Sequence, residues 1–258
     1  MEGKAFATDA LAQRLVLITG ASRGIGAAIA RLAAAVGADI AVAYHEQHEG
    51  AEATAAAVRA LGRRAEIFEA DLADPVAARA MVGSVVERMG TIDGLVNNAG
   101  VMPQSPFLEI SDAEWSHVIA TDLTAAFACS QAVLPGMLER GKGSIVMISS
   151  RLGQIGFAGV AHYAAAKAGV IALAKSIARE YGQQGIRANA VAPGVVVTDM
   201  TSADVITGEV GQRRLAELPL GRFGRPDEIA DAVVFLLSDA SSLFLGQTLG
   251  ANSGGFMP

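Results

Sequence analysis

Short runs of β-branched and other apolar residues alternate along the chain with longer alanine-rich segments of helical period. This alternation is typical of βαβ units, in which a helix connects each strand to the next parallel strand. The strand runs are almost continuously apolar, which indicates that helices cover both faces of the sheet. The sequence therefore predicts a three-layer α/β fold built on a parallel sheet.

The periodicity also gives approximate bounds for the elements. The predicted strands cover Arg14–Thr19, Asp39–Tyr44, Ala65–Ala70, Ile92–Val96, Gly143–Ser149, Ile186–Ala192 and Gln247–Gly250. The predicted helices cover Gly24–Val36, His48–Leu61, Pro75–Met89, Asp112–Met137, Ala161–Tyr181 and Asp227–Ser238. A further short helix or lid is expected between Thr201 and Leu218. No linker or shift in composition divides the chain, so we expect one domain over residues 1–258, with residues 1–13 as a flexible N-terminal extension.

Composition and charge argue against several classes of protein. The single cysteine, Cys129, can form neither an intramolecular disulfide nor a cysteine-based zinc cluster, and His45, His48 and His117 lack the spacing of metal ligands. A formal net charge of −6 and the absence of any Lys/Arg run disfavour nucleic acid as a partner. No stretch has the ~20 apolar residues that cross a membrane, and the first residues lack the apolar region of a signal peptide. We therefore expect a cytoplasmic protein without a metal.

A glycine-rich turn follows the first predicted strand directly. Glycine stands at positions 20, 24 and 26, and a helix begins within the turn. A helix N-terminus offers free backbone N–H groups and a positive dipole end to a phosphate, and glycine lets the backbone approach it closely. The turn is therefore predicted to hold a dinucleotide, although a glycine-rich turn without a ligand would have the same local sequence.

The residues near this turn favour NADP over NAD. A carboxylate at the end of the second strand would bind the ribose 2′-hydroxyl and repel a 2′-phosphate, but this strand ends in Tyr44-His45. Ser22 and Arg23 in the glycine turn can donate hydrogen bonds to a phosphate. The alternative for Arg23 is a solvated turn residue.

A tyrosine and a lysine stand one helical turn apart, and a serine precedes them. Tyr163 and Lys167 are spaced i and i+4, so they share one face of the predicted helix. A neighbouring ammonium favours the phenolate and lowers the tyrosine pKa. Ser150 follows a buried strand, at the sheet edge where ligands of parallel sheets bind. This combination predicts a site for general acid catalysis.

The order and spacing of four motifs resemble the short-chain dehydrogenase/reductase family. The motifs are Thr19–Gly26, Asn97–Gly100, Ser150 with Tyr163–Lys167, and Pro193–Thr198. The segment Gly221–Ala230 looks most like the 3-oxoacyl-carrier-protein reductase branch. The resemblance implies a Rossmann-type doubly wound sheet of about seven strands, a nicotinamide cofactor and a homotetramer.

The resemblance also implies residue roles. Tyr163 would be the acid/base, Lys167 would hold the nicotinamide ribose and lower the tyrosine pKa, and Ser150 would bind the carbonyl oxygen. Asp71 and Leu72 would line the adenine. The expected NADP(H) site comprises Gly20, Ser22, Arg23, Gly24, Ile25, Gly26, Tyr44, His45, Asp71, Leu72, Asn98, Ala99, Gly100, Tyr163, Lys167, Pro193, Gly194, Val196 and Thr198.

One position departs from the family pattern. Asp122 stands where the family usually has an asparagine that interrupts the helix and supports a proton relay to the catalytic lysine. Aspartate could bend the helix in the same way and leave activity normal. Alternatively it could stay protonated, with its pKa raised by burial, or pair with Lys167 and raise the lysine pKa. We expect the first outcome, with a similar pH profile in an Asp122→Asn variant.

The substrate pocket is expected to be built from residues 151–162 and 195–218. Its apolar walls would come from Leu152, Ile155, Phe157, Val195 and Met200. Such walls suit a small-molecule ketone of moderate size. His162 could touch this substrate, but we expect it to be merely exposed.

The favoured function is an NADPH-dependent carbonyl reductase or alcohol dehydrogenase. The first alternative is a reductase of 3-oxoacyl-carrier-protein or acyl-CoA thioesters, which would need a basic docking surface. Arg140 and Lys142 are candidates for that surface, whereas Gln183 and Gln184 lie where a cation would help. The second alternative is a dinucleotide-binding protein without catalysis.

Overall fold

The computed structural model describes residues 6–198 and 208–257, and it contains a seven-stranded parallel sheet with the order β3-β2-β1-β4-β5-β6-β7. The strands are β1 Leu15–Ile18, β2 Asp39–Tyr44, β3 Ala65–Glu69, β4 Gly94–Asn97, β5 Gly143–Ile148, β6 Ile186–Val191 and β7 Thr248–Leu249. The predicted doubly wound, Rossmann-type sheet is therefore confirmed. Strands β1 and β4 are neighbours at the centre of the sheet, where the strand order reverses, and ligands of such sheets bind at the carboxyl ends of the strands beside this point.

Helices cover both faces of the sheet. They are α1 Gly24–Ala35, α2 His48–Ala60, α3 Pro75–Met89, α4 Asp112–Ile119, α5 Ala125–Glu139, α6 Leu152–Ile155, α7 Ala161–Tyr181, α8 Glu209–Ala216 and α9 Pro226–Leu237. Helix α8 lies in the segment where a short helix or lid was predicted, while residues 199–207 of that segment lie outside the described residues.

Two hydrophobic layers hold the helices to the sheet. Successive strand residues point to opposite faces, so Val16 and Ile18 of β1 pack under α1, α2 and α9, whereas Leu15 and Leu17 pack under α3, α5 and α7. All four side chains are nearly or fully buried. This burial on both faces explains why the strand sequences show no polar alternation.

The fourth long helix differs from its prediction. The sequence predicts one helix from Asp112 to Met137, but a π-helical turn at Ala120–Thr124 separates α4 from α5. The run Asp112–Glu139 is long and apolar enough to cross a membrane by length and composition, and half of its most apolar window is buried in the fold. Because that buried part packs against the sheet, we interpret the run as a core helix.

The N-terminal segment also differs from its prediction in the part that the structure describes. Leu11 is fully buried, and its backbone N–H donates to the Val36 carbonyl at 2.8 Å. Phe6 packs against the same core. Residues 6–13 are therefore attached to the domain rather than extended from it, and residues 1–5 lie outside the described residues.

Candidate active site

A cleft of about 740 Å³ lies across the carboxyl ends of the central strands. Almost all of the predicted site residues line it, including the glycine turn, Ser150, Tyr163 and Lys167. Of the residues predicted to be catalytic or to bind the cofactor, Gly26 and Asp122 are the two that do not line the cleft. Both lie immediately behind its wall, where they shape the residues that do.

The glycine turn forms a cradle that side chains would fill. Gly20 and Gly24 have φ angles of +62° and +54°, which strongly favour glycine. A Cβ at Gly20 would come within 2.9 Å of the Ala99 Cα, and one at Gly26 would collide with the Gly20 carbonyl oxygen. The N-terminus of α1 receives no side-chain cap from Arg23. The free N–H groups and the open backbone fit a dinucleotide phosphate.

The Asn98 side chain braces this turn. Its Nδ2 donates to the Thr19 carbonyl at 2.9 Å and to the Gly20 carbonyl at 3.0 Å. The Thr19 hydroxyl accepts in turn from the backbone N–H groups of Asn98 and Ala99. These bonds fix the glycine turn against the end of β4. Asn98 therefore both lines the cleft and holds the neighbouring part of its wall in place.

The Tyr44 side chain, at the end of β2, has hydrogen-bond partners that the sequence did not reveal. The buried Tyr44 hydroxyl lies 2.8 Å from His48 Nδ1 and donates to Glu69 Oε2 at 3.3 Å. Glu69 reaches Tyr44 because β3 pairs with β2 and places these two residues side by side. Glu69 does not line the cleft, whereas Arg23 does, and the guanidinium of Arg23 makes no hydrogen bond or ion pair to the described residues.

Ser150, Tyr163 and Lys167 converge as predicted. Ser150 follows β5, and its hydroxyl lies close enough to Tyr163, on the first turn of α7, to lower the pKa of that phenol. The Lys167 Nζ lies 5.5 Å from the centroid of the Tyr163 ring and donates to the Ile148 carbonyl at 3.1 Å. A hydroxyl, a phenol and a buried ammonium thus share the centre of the cleft.

The pKa of Tyr163 is higher than the resemblance implied. Burial raises the pKa of this phenol, and the charge of Asp122 raises it further. The Lys167 ammonium and the Ser150 hydroxyl lower this pKa, but they do not offset the burial. Lys167 lowers the Tyr163 pKa as expected, but the net shift of that pKa is upward. Tyr163 is consequently a phenol at neutral pH, which is the form that donates a proton.

Asp122 pairs with Lys167. It lies in the π-helical turn, is almost fully buried, and places Oδ2 at 3.1 Å from Lys167 Nζ. Its Oδ1 accepts from the Val101 N–H at 2.8 Å. A Cβ at Gly100 would come within 2.5 Å of Oδ2, so glycine is needed there. Burial lowers the pKa of Lys167, but the charges of Asp122 and Tyr163 together raise it above 10.5. The geometry therefore corresponds to the pairing alternative, with the helix distorted as well.

This ion pair changes the expected pH response of an Asp122→Asn variant. Because the negative charge raises the pKa values of both Tyr163 and Lys167, its removal should let the Tyr163–Lys167 pair lose a proton at lower pH. We expect kcat for ketone reduction at neutral pH to change by only a few-fold, and the alkaline limb of the profile to move to lower pH. A limb that stays in place would show that Asp122 carries no charge in the working enzyme.

His162 is not exposed. Its ring is fully buried, Nε2 lies 2.8 Å from Glu114 Oε1, and Nδ1 accepts from the Tyr163 backbone N–H at 2.9 Å. The Ser105 hydroxyl donates to the same Glu114 oxygen at 2.7 Å. The prediction was wrong because Glu114 and Ser105 come from segments far away in sequence, and they bury the histidine at the start of α7. His162 thereby helps to fix the backbone of Tyr163.

The predicted substrate walls are present in part. Leu152, Phe157 and Val195 line the cleft, Ile155 lies outside the lining, and Met200 lies outside the described residues. The short helix α6 was not predicted. A Cβ on its Gly153 would come within 2.6 Å of the Lys167 backbone, so a glycine lets α6 pack against α7. Arg151, His117 and Arg214 also line the cleft.

A doubly wound sheet with a phosphate cradle beside a Ser-Tyr-Lys set defines a dinucleotide-dependent oxidoreductase. The family model described as Enoyl-(Acyl carrier protein) reductase matches residues 20–256. The chain belongs to the short-chain dehydrogenase/reductase family.

Individual relatives agree with this family. The 3-oxoacyl-acyl-carrier-protein reductase FabG of Staphylococcus aureus (strain Mu50) is 43% identical over 241 residues, which are 93% of this chain and 97% of that protein. A structure from Beutenbergia cavernae, assigned as an NAD(P)-dependent gluconate 5-dehydrogenase with NADP bound at low occupancy, has a TM-score of 0.90 and 37% identity, covering 95% of this chain and 97% of that one. A blue fluorescent protein from a metagenomic library, in complex with NADPH, has a TM-score of 0.90 and 36% identity, covering 96% and 99%.

Proposed function

We propose that the protein is an NADP(H)-dependent carbonyl reductase or alcohol dehydrogenase acting on a ketone and its secondary alcohol. The observation that carries this proposal is the contact among Ser150, Tyr163 and Lys167 at the centre of a cleft that also contains the glycine cradle. When bound, the cofactor supplies a hydride to the carbonyl carbon. The two relatives with NADP or NADPH bound support the choice of cofactor.

The chain's own residues handle the carbonyl oxygen. The Ser150 hydroxyl donates a hydrogen bond that polarises the C=O group, and the Tyr163 hydroxyl donates its proton as the π bond breaks and charge develops on oxygen. The resulting tyrosinate lies beside the Lys167 ammonium, which stabilises the phenolate until a proton returns. The raised pKa of Tyr163 suits this direction, because the group holds its proton until the oxygen becomes basic.

The residues that would hold the cofactor follow from the cleft. The glycine turn and the N-terminus of α1 fit the pyrophosphate, and Lys167 fits the nicotinamide ribose. Asp71 and Leu72 line the side where the adenine would lie, and Pro193 and Val196 line the nicotinamide side.

Arg23 is predicted to select NADPH over NADH. An Arg23→Ala variant should bind NADPH about 10- to 100-fold more weakly, because a charge-assisted hydrogen bond contributes roughly 1.5–3 kcal/mol. Its affinity for NADH should barely change. Arg31→Ala is the matched control, because Arg31 is exposed on helix α1, which begins directly after Arg23. Fluorescence titration checks both cofactors, and tighter NADH binding in the unmodified protein would refute the assignment.

Reduction of carrier-protein thioesters is the second candidate, and the similarity to the S. aureus reductase favours it. Against it, the two basic docking candidates already have partners. Arg140 donates to the Ile92 carbonyl at 2.8 Å, and Lys142 donates to Asp239 at 3.4 Å. Gln183 and Gln184 add no charge. We therefore keep the general carbonyl reductase in first place.

One experiment separates these candidates. The protein is mixed with NADPH and a panel of simple ketones, keto acids, aryl ketones and 3-oxoacyl thioesters of coenzyme A and of a carrier protein, and NADPH oxidation is followed by absorbance. Turnover of free ketones supports the first proposal, and turnover of carrier-protein thioesters alone supports the second. The absence of oxidation with every compound would contradict both.

Two properties of the whole protein are proposed as well. Large apolar side chains are exposed along one segment, which supports association into the homotetramer: Phe107, Leu108, Trp115 and Phe127. Light scattering in solution measures the oligomeric state. A cytoplasmic location is consistent with a lone, buried cysteine and with a soluble cofactor.

A further inference from the structure

The cleft lining contains more cationic side chains (Arg23, Arg151, Lys167 and Arg214) than acidic ones (Glu46 and Asp71). The acidic side chains in the lining, Glu46 and Asp71, follow β2 and β3 on the side of the glycine turn. Beyond Ser150, the lining contains two guanidinium groups, those of Arg151 and Arg214, and no carboxylate from the described residues. The end of the cleft where the carbonyl compound would lie is therefore positive.

Two hydrogen bonds hold Arg151 in the cleft lining. It follows Ser150, and its backbone N–H donates to the Pro193 carbonyl at 2.9 Å. Its guanidinium is partly buried and donates to the Gly255 carbonyl at 3.3 Å. That bond uses one of five N–H donors, and no carboxylate of the described residues lies within ion-pair distance.

Arg214 lines the same cleft. It lies on α8 and stacks on the Phe157 ring with 5.1 Å between the guanidinium carbon and the ring centroid. It has no ion pair within the described residues, and Glu217 of the next turn is exposed. Burial lowers the pKa of Arg151, the charge of Arg214 lowers it further, and Glu217 opposes this more weakly. Arg151 and Arg214 thus line one cleft, and neither forms an ion pair with the described residues.

Two guanidinium groups without carboxylate partners in one cleft favour an anionic ligand, because a partly buried charge is costly when it is unpaired. Both are forked donors suited to the oxygens of a carboxylate or phosphate. We propose that Arg151 and Arg214 bind an anionic group of the substrate, so that the preferred ketone bears a carboxylate or a phosphate on the side away from the cofactor. This inference rests on the proposed carbonyl reductase activity and specifies its substrate class.

The first test compares ketones that carry an anionic group with neutral counterparts in the unmodified protein. Initial rates with NADPH are measured for acetoacetate and acetoacetamide, for levulinate and levulinamide, and for dihydroxyacetone phosphate and dihydroxyacetone. We expect kcat/KM to be at least 10-fold higher for the anion of one pair or more, mainly through a lower KM, because the charged hydrogen bond forms before the chemical step. The pair with the larger ratio distinguishes a carboxylate from a phosphate.

The second test assigns the preference to the two arginines. The ratio of kcat/KM between the anion and its neutral partner should fall about 10-fold or more in Arg214→Ala and in Arg151→Gln, and Arg214→Lys should restore part of it. Arg213→Ala, at the exposed neighbouring position of α8 that does not line the cleft, should keep the full ratio. Thermal unfolding of each variant checks that the fold is retained.

The outcomes separate the two proposals. Neutral ketones reduced as well as their anionic partners would overturn the anion site and leave the carbonyl reductase intact. An anion preference that survives both arginine substitutions would overturn the assignment to Arg151 and Arg214. No reduction of any compound would contradict the proposed function, and the anion site would be rejected with it.

Discussion

Replacing Tyr163 with phenylalanine should reduce kcat for ketone reduction by about 10²- to 10⁴-fold, the usual contribution of a positioned general acid. The substitution removes the phenol proton and keeps the ring that packs near Lys167. NADPH should still bind, because the glycine cradle and Arg23 are untouched. Steady-state kinetics and fluorescence titration measure the two effects separately.

The same helix offers a matched control. Tyr181→Phe is the identical substitution at the last residue of α7, outside the cleft lining. It should leave kcat close to that of the unmodified protein. If Tyr163→Phe were also to reduce ketones at the unmodified rate, Tyr163 would not be the acid, and another donor in the cleft would have to be found.

Replacing Lys167 with methionine should have the largest effect on stability. Asp122 is almost fully buried, and Lys167 is the cation that faces it at 3.1 Å. Removing one member of a buried ion pair leaves an uncompensated charge and typically costs about 3–5 kcal/mol. We therefore expect the free energy of unfolding, measured by urea titration, to fall by about that amount.

The double variant Asp122→Asn, Lys167→Met separates charge from packing. It removes both charges while keeping the shape of residue 122, so most of the lost stability should return. Catalysis should not return, because the ammonium beside Tyr163 is still absent. A Lys167→Met protein as stable as the unmodified one would mean that Asp122 is solvated or protonated in solution, contrary to the buried pair.

The strand and helix positions could be predicted because single segments determine them. Helix α7 has its predicted bounds, Ala161–Tyr181, and strand β2 has its predicted bounds, Asp39–Tyr44. The helical period of α7 and the apolar run of β2 are both uninterrupted, and a polar or glycine residue marks an end of each segment. The glycine turn could be predicted for the same reason, since positive φ angles are a local requirement of the chain.

The π-helical turn at Ala120–Thr124 depends on tertiary contacts. Nothing in the periodicity of Ala-Thr-Asp-Leu-Thr excludes an ordinary α-helix, and only the family resemblance implied that Asp122 bends the predicted helix. The Asp122 carboxylate instead meets Lys167 of α7 and the Val101 N–H after β4. These partners come from remote parts of the chain, so periodicity carries no signal of them.

The burial of His162 and the presence of Arg151 and Arg214 in one cleft were missed for a related reason. Each depends on residues that are separated in sequence by 48 or more positions and meet only in the fold, as His162 and Glu114 do. The proposed catalytic residues were easier to find because Tyr163 and Lys167 share one helix face. A site built from one helix can be read from spacing, whereas one built between loops requires coordinates.

The most direct test of the account follows the hydride itself. The protein is incubated with a ketone and with NADPH carrying deuterium on the reactive nicotinamide carbon, prepared separately for each face, and the product alcohol is analysed by NMR and mass spectrometry. We predict that one labelled form transfers deuterium to the carbinol carbon and that Tyr163→Phe slows this transfer by about 10²- to 10⁴-fold. Unlabelled alcohol from both forms, or no alcohol at all, would contradict hydride transfer in this cleft.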